Sequence, residues 1–106
     1  MSTIDDVIKI VGEFSHVTQA PHFDTTAFKI KKKIFVTFHE KLNRICVKLS
    51  LLNQNVFSSY DPNMIHPVPN KWGTHGWTFG YLSEMPSSLL QDLLRCAYQE
   101  VSQPRK

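Results

Sequence analysis

The residues in this chain whose types and spacing suit chemistry are cations. Lys29, Lys31, Lys33, Arg44 and Lys48 alternate with apolar residues along three stretches, Thr25 to Ile30, Lys33 to His39 and Arg44 to Ser50. A period of two sends successive side chains to opposite faces of a strand. Phe28, Ile30, Ile34, Val36, Phe38, Ile45, Val47 and Leu49 then share one face, and the cations share the other. Such a face attracts anions. Lysine binds phosphate as a point charge, and an aromatic ring among lysines stacks on a base or wedges a duplex step. Phe35 falls on the cationic parity and would be that ring. The charge is local: Lys29, Lys31, Lys32, Lys33, Lys41, Arg44 and Lys48 face the one anion Glu40 within 25–50, while the whole chain carries only +3. A solvated face whose lysines guard the sheet against aggregation is the plain alternative.

Other chemistry is thinner. His16, His22, His39, His66 and His75 stand apart, with no H-x-x-x-H, no C-x-x-C and no dense carboxylate cluster. Neither a metal nor another cofactor is expected from that spacing. Cys46 lies between Arg44 and Lys48 in the strand pattern, and neighbouring cations favour the nucleophilic thiolate. A small residue with an inert thiol is the simpler reading. Gly73-Thr74-His75-Gly76-Trp77 has the freedom of a binding loop, so Trp72, His75 and Trp77 are candidate ligand-loop residues. The simpler reading there is a turn that lets two strands approach, with a tryptophan plugging the core edge. There is no G-x-S-x-G element, no phosphate-cradling loop and no dinucleotide fingerprint. With no catalytic constellation, a non-enzymatic protein is expected.

The elements that must hold these residues follow from periodicity. Ile4, Val7, Ile8 and Val11 have helical spacing, with Ser2 or Thr3 as cap and Asp5 and Asp6 at the positive end of the dipole. His16 to Asp24 reads as a loop punctuated by Pro21. Pairing Ile30 with Ile34 across Lys31 to Lys33 also pairs Phe28 with Val36 and Thr26 with Phe38. Pairing Phe38 with Ile45 also pairs Val36 with Val47 and Ile34 with Leu49. Directly opposed residues share a face, so every apolar residue points one way and Lys29, Phe35 and Lys48 form a row on the other. The first turn has no Gly or Asn to favour a tight hairpin. Leu52, Val56 and Tyr60 suggest a short helix, and Asp61-Pro62-Asn63 a turn. Met64 to Val68 reads as a short extended piece that Pro67 keeps off a central position. Asn70 to Gly76 reads as a loop carrying Lys71. Trp77 to Leu82 reads as a strand with Trp77, Phe79 and Tyr81 on one face. Pro86 opens a final helix whose stripe, Leu89, Leu90, Leu93, Leu94, Ala97, Tyr98 and Val101, is core. Pro104-Arg105-Lys106 reads as a frayed tail.

This order predicts an α+β two-layer sandwich, an antiparallel sheet flanked by N- and C-terminal helices, as a single domain over 1–106. Helices would cover one sheet face, and the basic face would stay open. No stretch approaches the roughly 20 apolar residues that span a bilayer, and Asp5 and Asp6 interrupt any signal-peptide pattern. Cys46 and Cys96 are too few for a disulfide framework. A cytoplasmic monomer with reduced thiols and no membrane partner is expected.

Several segments together resemble the MmcQ/YjbR family. They are Ala27-Phe28-Lys29-Ile30, Lys33-Ile34-Phe35-Val36, Val47-Lys48-Leu49-Ser50, Pro67-Val68-Pro69-Asn70-Lys71-Trp72-Gly73, Gly76-Trp77-Thr78, and Leu89-Leu90 to Ala97-Tyr98. The resemblance runs over nearly the whole chain in order. It implies a compact α+β fold similar to secretion chaperone-like and frataxin-like sandwiches, and DNA binding through a double wing. It brings no catalytic residues. Many members have a glycine where this chain has Lys32, which here adds charge to the wing. The leading expectation is a small DNA-binding protein whose Lys29, Lys31, Lys32, Lys33, Arg44, Lys48 and Lys71 contact phosphates, with Phe35 on sugar or base. The alternative is a protein-interaction module that presents its open face or a sheet edge to an acidic partner. A small-molecule site around Trp72, His75, Trp77 and Cys46 is a third.

Overall fold

A computed structural model describes residues 2–22 and 24–102, apart from the side chain of His22. The tail Pro104 to Lys106 lies outside the described residues. The elements run α1 (Ile4–Val11), β1 (Val17–His22), β2 (Thr25–Ile30), β3 (Lys33–His39), β4 (Arg44–Lys48), α2 (Leu51–Tyr60), β5 (Ile65–Pro67), α3 (Lys71–Thr74), β6 (Trp77–Tyr81) and α4 (Ser87–Ser102). The strands form one antiparallel sheet of six in the order β1-β2-β3-β4-β6-β5. Helix α4 packs on β2, β3 and β4, and α1 packs on α4. This is the expected α+β sandwich.

Local chemistry explains the helices. The Thr3 backbone N–H donates to the Asp6 carboxylate at 2.9 Å, so α1 starts where its first donors are met. Val7 and Val11 turn inward beside Leu90, Leu93, Leu94 and Ala97 of α4. Ser50 Oγ accepts the Asn53 N–H at 3.1 Å and starts α2. That helix breaks the usual rule about which side is wet. Gln54 is its buried residue, while Leu51, Leu52, Val56 and Tyr60 are exposed. Gln54 Nε2 donates to the Gly73 carbonyl at 2.8 Å and also approaches the Trp77 carbonyl and Thr78 Oγ1 at 3.2 Å. The Gly73 and Trp77 carbonyls also accept the Gly76 and Val68 N–H groups at 3.0 Å, so the inward amide adds a second donor to each, and the apolar stripe is left facing out.

Two expectations are corrected. The segment read as a loop from His16 to Asp24 contains strand β1, paired with β2 from Val17↔Ile30 to His22↔Thr25. Val-Thr-Gln-Ala-Pro-His lacks alternation because an outer strand buries little, and Pro21 is tolerated there because an outer strand needs hydrogen bonds on one side only. The second correction is the β2–β3 register. Thr26↔Phe38 and Phe28↔Val36 pair as expected, but a bulge follows, and the hairpin closes with Lys29↔Ile34 and Ile30↔Lys33. The turn is therefore Lys31-Lys32, with Lys31 in the left-handed region at φ 59°.

A bulge adds one residue to one strand and reverses which face the residues beyond it occupy. Ile34 moves to the open face, and Phe35 joins Val36 in the core at 0% exposure. Phe35 sits 5.8 Å from the Tyr98 ring, edge-on, and 6.5 Å from Phe14. Phe14 and Tyr98 stack at 4.6 Å. Tyr98 Oη donates to the Ser15 carbonyl at 2.9 Å and fixes the chain leaving α1. The expected row Lys29–Phe35–Lys48 is thus Lys29–Ile34 on one side and Lys48 paired with Trp77 on the other.

Candidate functional site

The face away from α1 and α4 is built in rows. One row crosses all six strands, Ala20–Ala27–Thr37–Cys46–Phe79–His66. Toward one side lies Thr25–His39–Arg44–Tyr81, and toward the other lie Lys29–Ile34 and Lys48–Trp77. Residues two apart along a strand are separated by about 7 Å, so the three rows span a small-molecule length. A groove of about 500 Å³ follows them, lined by Asp24, Thr25, Ile34, Thr37, His39, Cys46, Val68, Trp72, Trp77 and Phe79. That volume is in the ordinary range for a ligand site.

The loop after β5 shapes one wall. Asn70 Oδ1 accepts the Trp72 N–H at 2.8 Å and starts the short α3 within the segment read as a loop. Gly73 is buried, and a Cβ there would lie 2.0 Å from the Val68 carbonyl oxygen. Trp72, half-exposed, is presented at the groove beside Val68. Gly76 then turns the chain into β6 at φ 102°. The Lys48 ammonium donates to the His75 carbonyl and pins that turn to β4.

The cations fall into two sets. Lys29, Arg44 and Lys48 are partly exposed on the grooved face, and Lys71 is exposed next to Trp72. Lys31, Lys32 and Lys33 are exposed at the β2–β3 hairpin tip. Arg44 sits over Phe79, Cζ to ring centroid 3.8 Å, with Tyr81 at 5.9 Å, a contact that attracts through the ring quadrupole. His66 completes this aromatic end, 5.7 Å from Phe79 and 5.6 Å from Tyr81. The side chain of His75 is exposed and lines no part of the groove, whereas Trp72, Trp77 and Cys46 do meet there. Among the described residues, no group of three or more His, Cys, Asp or Glu could hold a metal ion.

Cys46 corrects the idea of an activated thiol. Burial pushes its pKa up to about 11, against the opposing pull of Arg44 and a hydrogen bond from the Thr78 backbone. The Arg44 guanidinium is committed to Phe79, and desolvation wins. Cys96 is also raised, by burial and by Asp92, against Arg95. Below about pH 11 the Cys46 thiol stays protonated. Iodoacetamide should therefore label it at pH 7.5 on the order of a hundredfold more slowly than free cysteine. Peptide mass spectrometry separates it from Cys96; labelling at the free-thiol rate would contradict the geometry.

Ile34, Thr37, His39 and Val68 belong to the groove although nothing local in the sequence marks them. The signal is β4 lying beside β6, a pairing across about thirty residues whose register runs Arg44↔Tyr81 to Lys48↔Trp77. The sequence marks a strand over Trp77 to Leu82 with Trp77, Phe79 and Tyr81 on one face, observed as Trp77–Tyr81, but it does not mark the neighbour.

Residues 56–106 match the model of a domain of unknown function, DUF8307. No curated protein matches the chain significantly. Among solved structures, the chain is similar to the Deinococcus radiodurans protein DR2400, whose family-model domain is DUF419. The two superpose with a TM-score of 0.85 at 24% identity, covering 97% of this chain and 80% of that one. The architecture is therefore one already seen in a bacterial protein.

Proposed function

We propose that this protein binds nucleic acid as a single strand laid across its open sheet face. The observation that carries the reading is the aromatic groove on a half-exposed sheet bordered by Lys29, Arg44, Lys48 and Lys71. Basic grooves with aromatic floors track the backbone of single strands and stack their bases. Lys31, Lys32 and Lys33 at the hairpin tip extend the positive field beyond the groove. The resemblance to MmcQ/YjbR proteins, described as binding DNA through a double wing, supports the same partner. Phe35 has no part in it, because the core covers it.

Four phosphates neutralised on a single strand give a slope of about −2.8 for log affinity against log salt. Fluorescence anisotropy with a labelled oligonucleotide measures it. Lys29→Ala with Lys71→Ala should reduce the magnitude of the slope by about 1.4. No binding at low salt, or a slope unchanged in the double variant, would sink the proposal. A second reading, an acidic protein partner on the same face, is favoured by the exposed lysines at the hairpin tip and beside Trp72. The same titration with a glutamate-rich peptide separates the two.

A further inference from the structure

We propose that the groove is a base pocket, which takes one unstacked nucleobase while the attached phosphates lie on the cationic rim. The inference rests on the single-strand reading above and adds what distinguishes the groove from a merely basic surface.

The two ends of the groove differ in chemistry. At one end Trp77 stands beside Lys48, and Trp72 beside Lys71. At the other end lie Asp24 and His39, with Arg44 in the same row and its guanidinium held over Phe79. The middle row, Thr37 to Phe79, separates them by about two row spacings of 7 Å each. A nucleotide has the same polarity: an anionic phosphate, then a flat π-surface, then a hydrogen-bonding edge. Set with its phosphate at the lysine end, its ring lies between the tryptophans and Phe79, and its edge reaches Asp24 and His39. The carboxylate is then far from the phosphate, where it accepts from base N–H groups instead of repelling an anion. An acidic peptide has no such flat surface and no such edge.

His39 lines the same end, and its Nδ1 is buried with no hydrogen-bond partner among the described residues, an arrangement that is costly and that a small rotation of the ring toward a base edge would relieve.

Trp72 and Trp77 are the two tryptophans of the chain, and both line the groove. Intrinsic tryptophan fluorescence therefore reports on the pocket alone. The test compares a single-stranded oligonucleotide with an abasic phosphodiester of equal length and charge. Stacking contributes enough per base for the base-bearing strand to bind roughly tenfold tighter, with quenching that the abasic strand does not produce. Adenosine monophosphate should quench weakly at millimolar concentration. Trp72→Ala, a substitution at a half-exposed site, should bring the two strands' affinities together while leaving the salt slope in place. Equal affinity for both strands in the wild-type protein, with no quenching, overturns the pocket and leaves phosphate binding standing. Binding of neither strand, with no quenching by the mononucleotide, overturns both. Quenching by the mononucleotide without strand binding keeps the pocket and removes the polymer reading.

Discussion

Replacing Gly76 by alanine is expected to lower stability by about 4 kcal/mol or more, among the largest losses a single substitution produces. The backbone at Gly76 has φ 102°, and a Cβ built there lies 1.9 Å from the Leu49 carbonyl oxygen. Neither partner can step aside cheaply. Leu49 N–H donates to the Gly76 carbonyl at 3.0 Å, and Thr78 Oγ1 donates to the same oxygen at 3.0 Å. Relieving the clash means pulling the turn off the end of β4, which also breaks the Lys48 contact with His75 and disturbs the carbonyls that hold Gln54. For a domain of this size each kcal/mol moves the melting temperature by roughly 4–8 °C, so a drop of about 15–30 °C is expected by calorimetry. His75→Ala, at an exposed side chain next door, should stay within about 0.5 kcal/mol. A Gly76→Ala protein melting within a few degrees of wild type would show that the turn is not held against β4 as described.

Phe35→Ala is expected to cost about 3–5 kcal/mol, the usual loss for a buried phenylalanine. Its ring is wholly buried and meets both Phe14 and Tyr98, so the cavity would open where α1, α4 and the bulge of β3 converge. Each aromatic contact adds about 0.5–1.5 kcal/mol beyond area burial. Net stability of small domains is only about 5–15 kcal/mol, so this one ring decides whether much of the population is folded at moderate denaturant. Urea unfolding with two probes measures the loss. The same position separates a core role from a ligand role. Phe35→Leu keeps most of the volume and should leave oligonucleotide affinity unchanged. Reduced affinity at unchanged stability would return Phe35 to the binding face.

That position also shows how far the chain can be read before folding. The strands β2, β3 and β4 are legible because lysines and arginine alternate with apolar residues over 25–48, and the deep pairs Phe28↔Val36 and Phe38↔Ile45 follow from that alternation alone. Ile34-Phe35-Val36 breaks it, with three apolar residues in sequence that fit either parity. The bulge turns Phe35 inward, where it meets Phe14 and Tyr98, both distant in sequence. The final helix is legible because its stripe is long; β1 is not, because an outer strand has little to bury. Within the groove, the lysines could be named early because charge is a local property. The pocket could not, because its lining comes from strands that meet only when β6 inserts between β4 and β5.

The outer strands have a consequence of their own. The sheet ends in β1, which contains Pro21, and in β5, which is three residues long and closes on Pro67. Proline has no N–H to offer, and a three-residue border is too short to template a new strand. Crowded copies of this protein therefore find an interrupted ladder at either border, which hinders the edge-to-edge pairing by which sheets recruit one another into fibrils. A peptide adding as a further strand at either rim meets the same interruption.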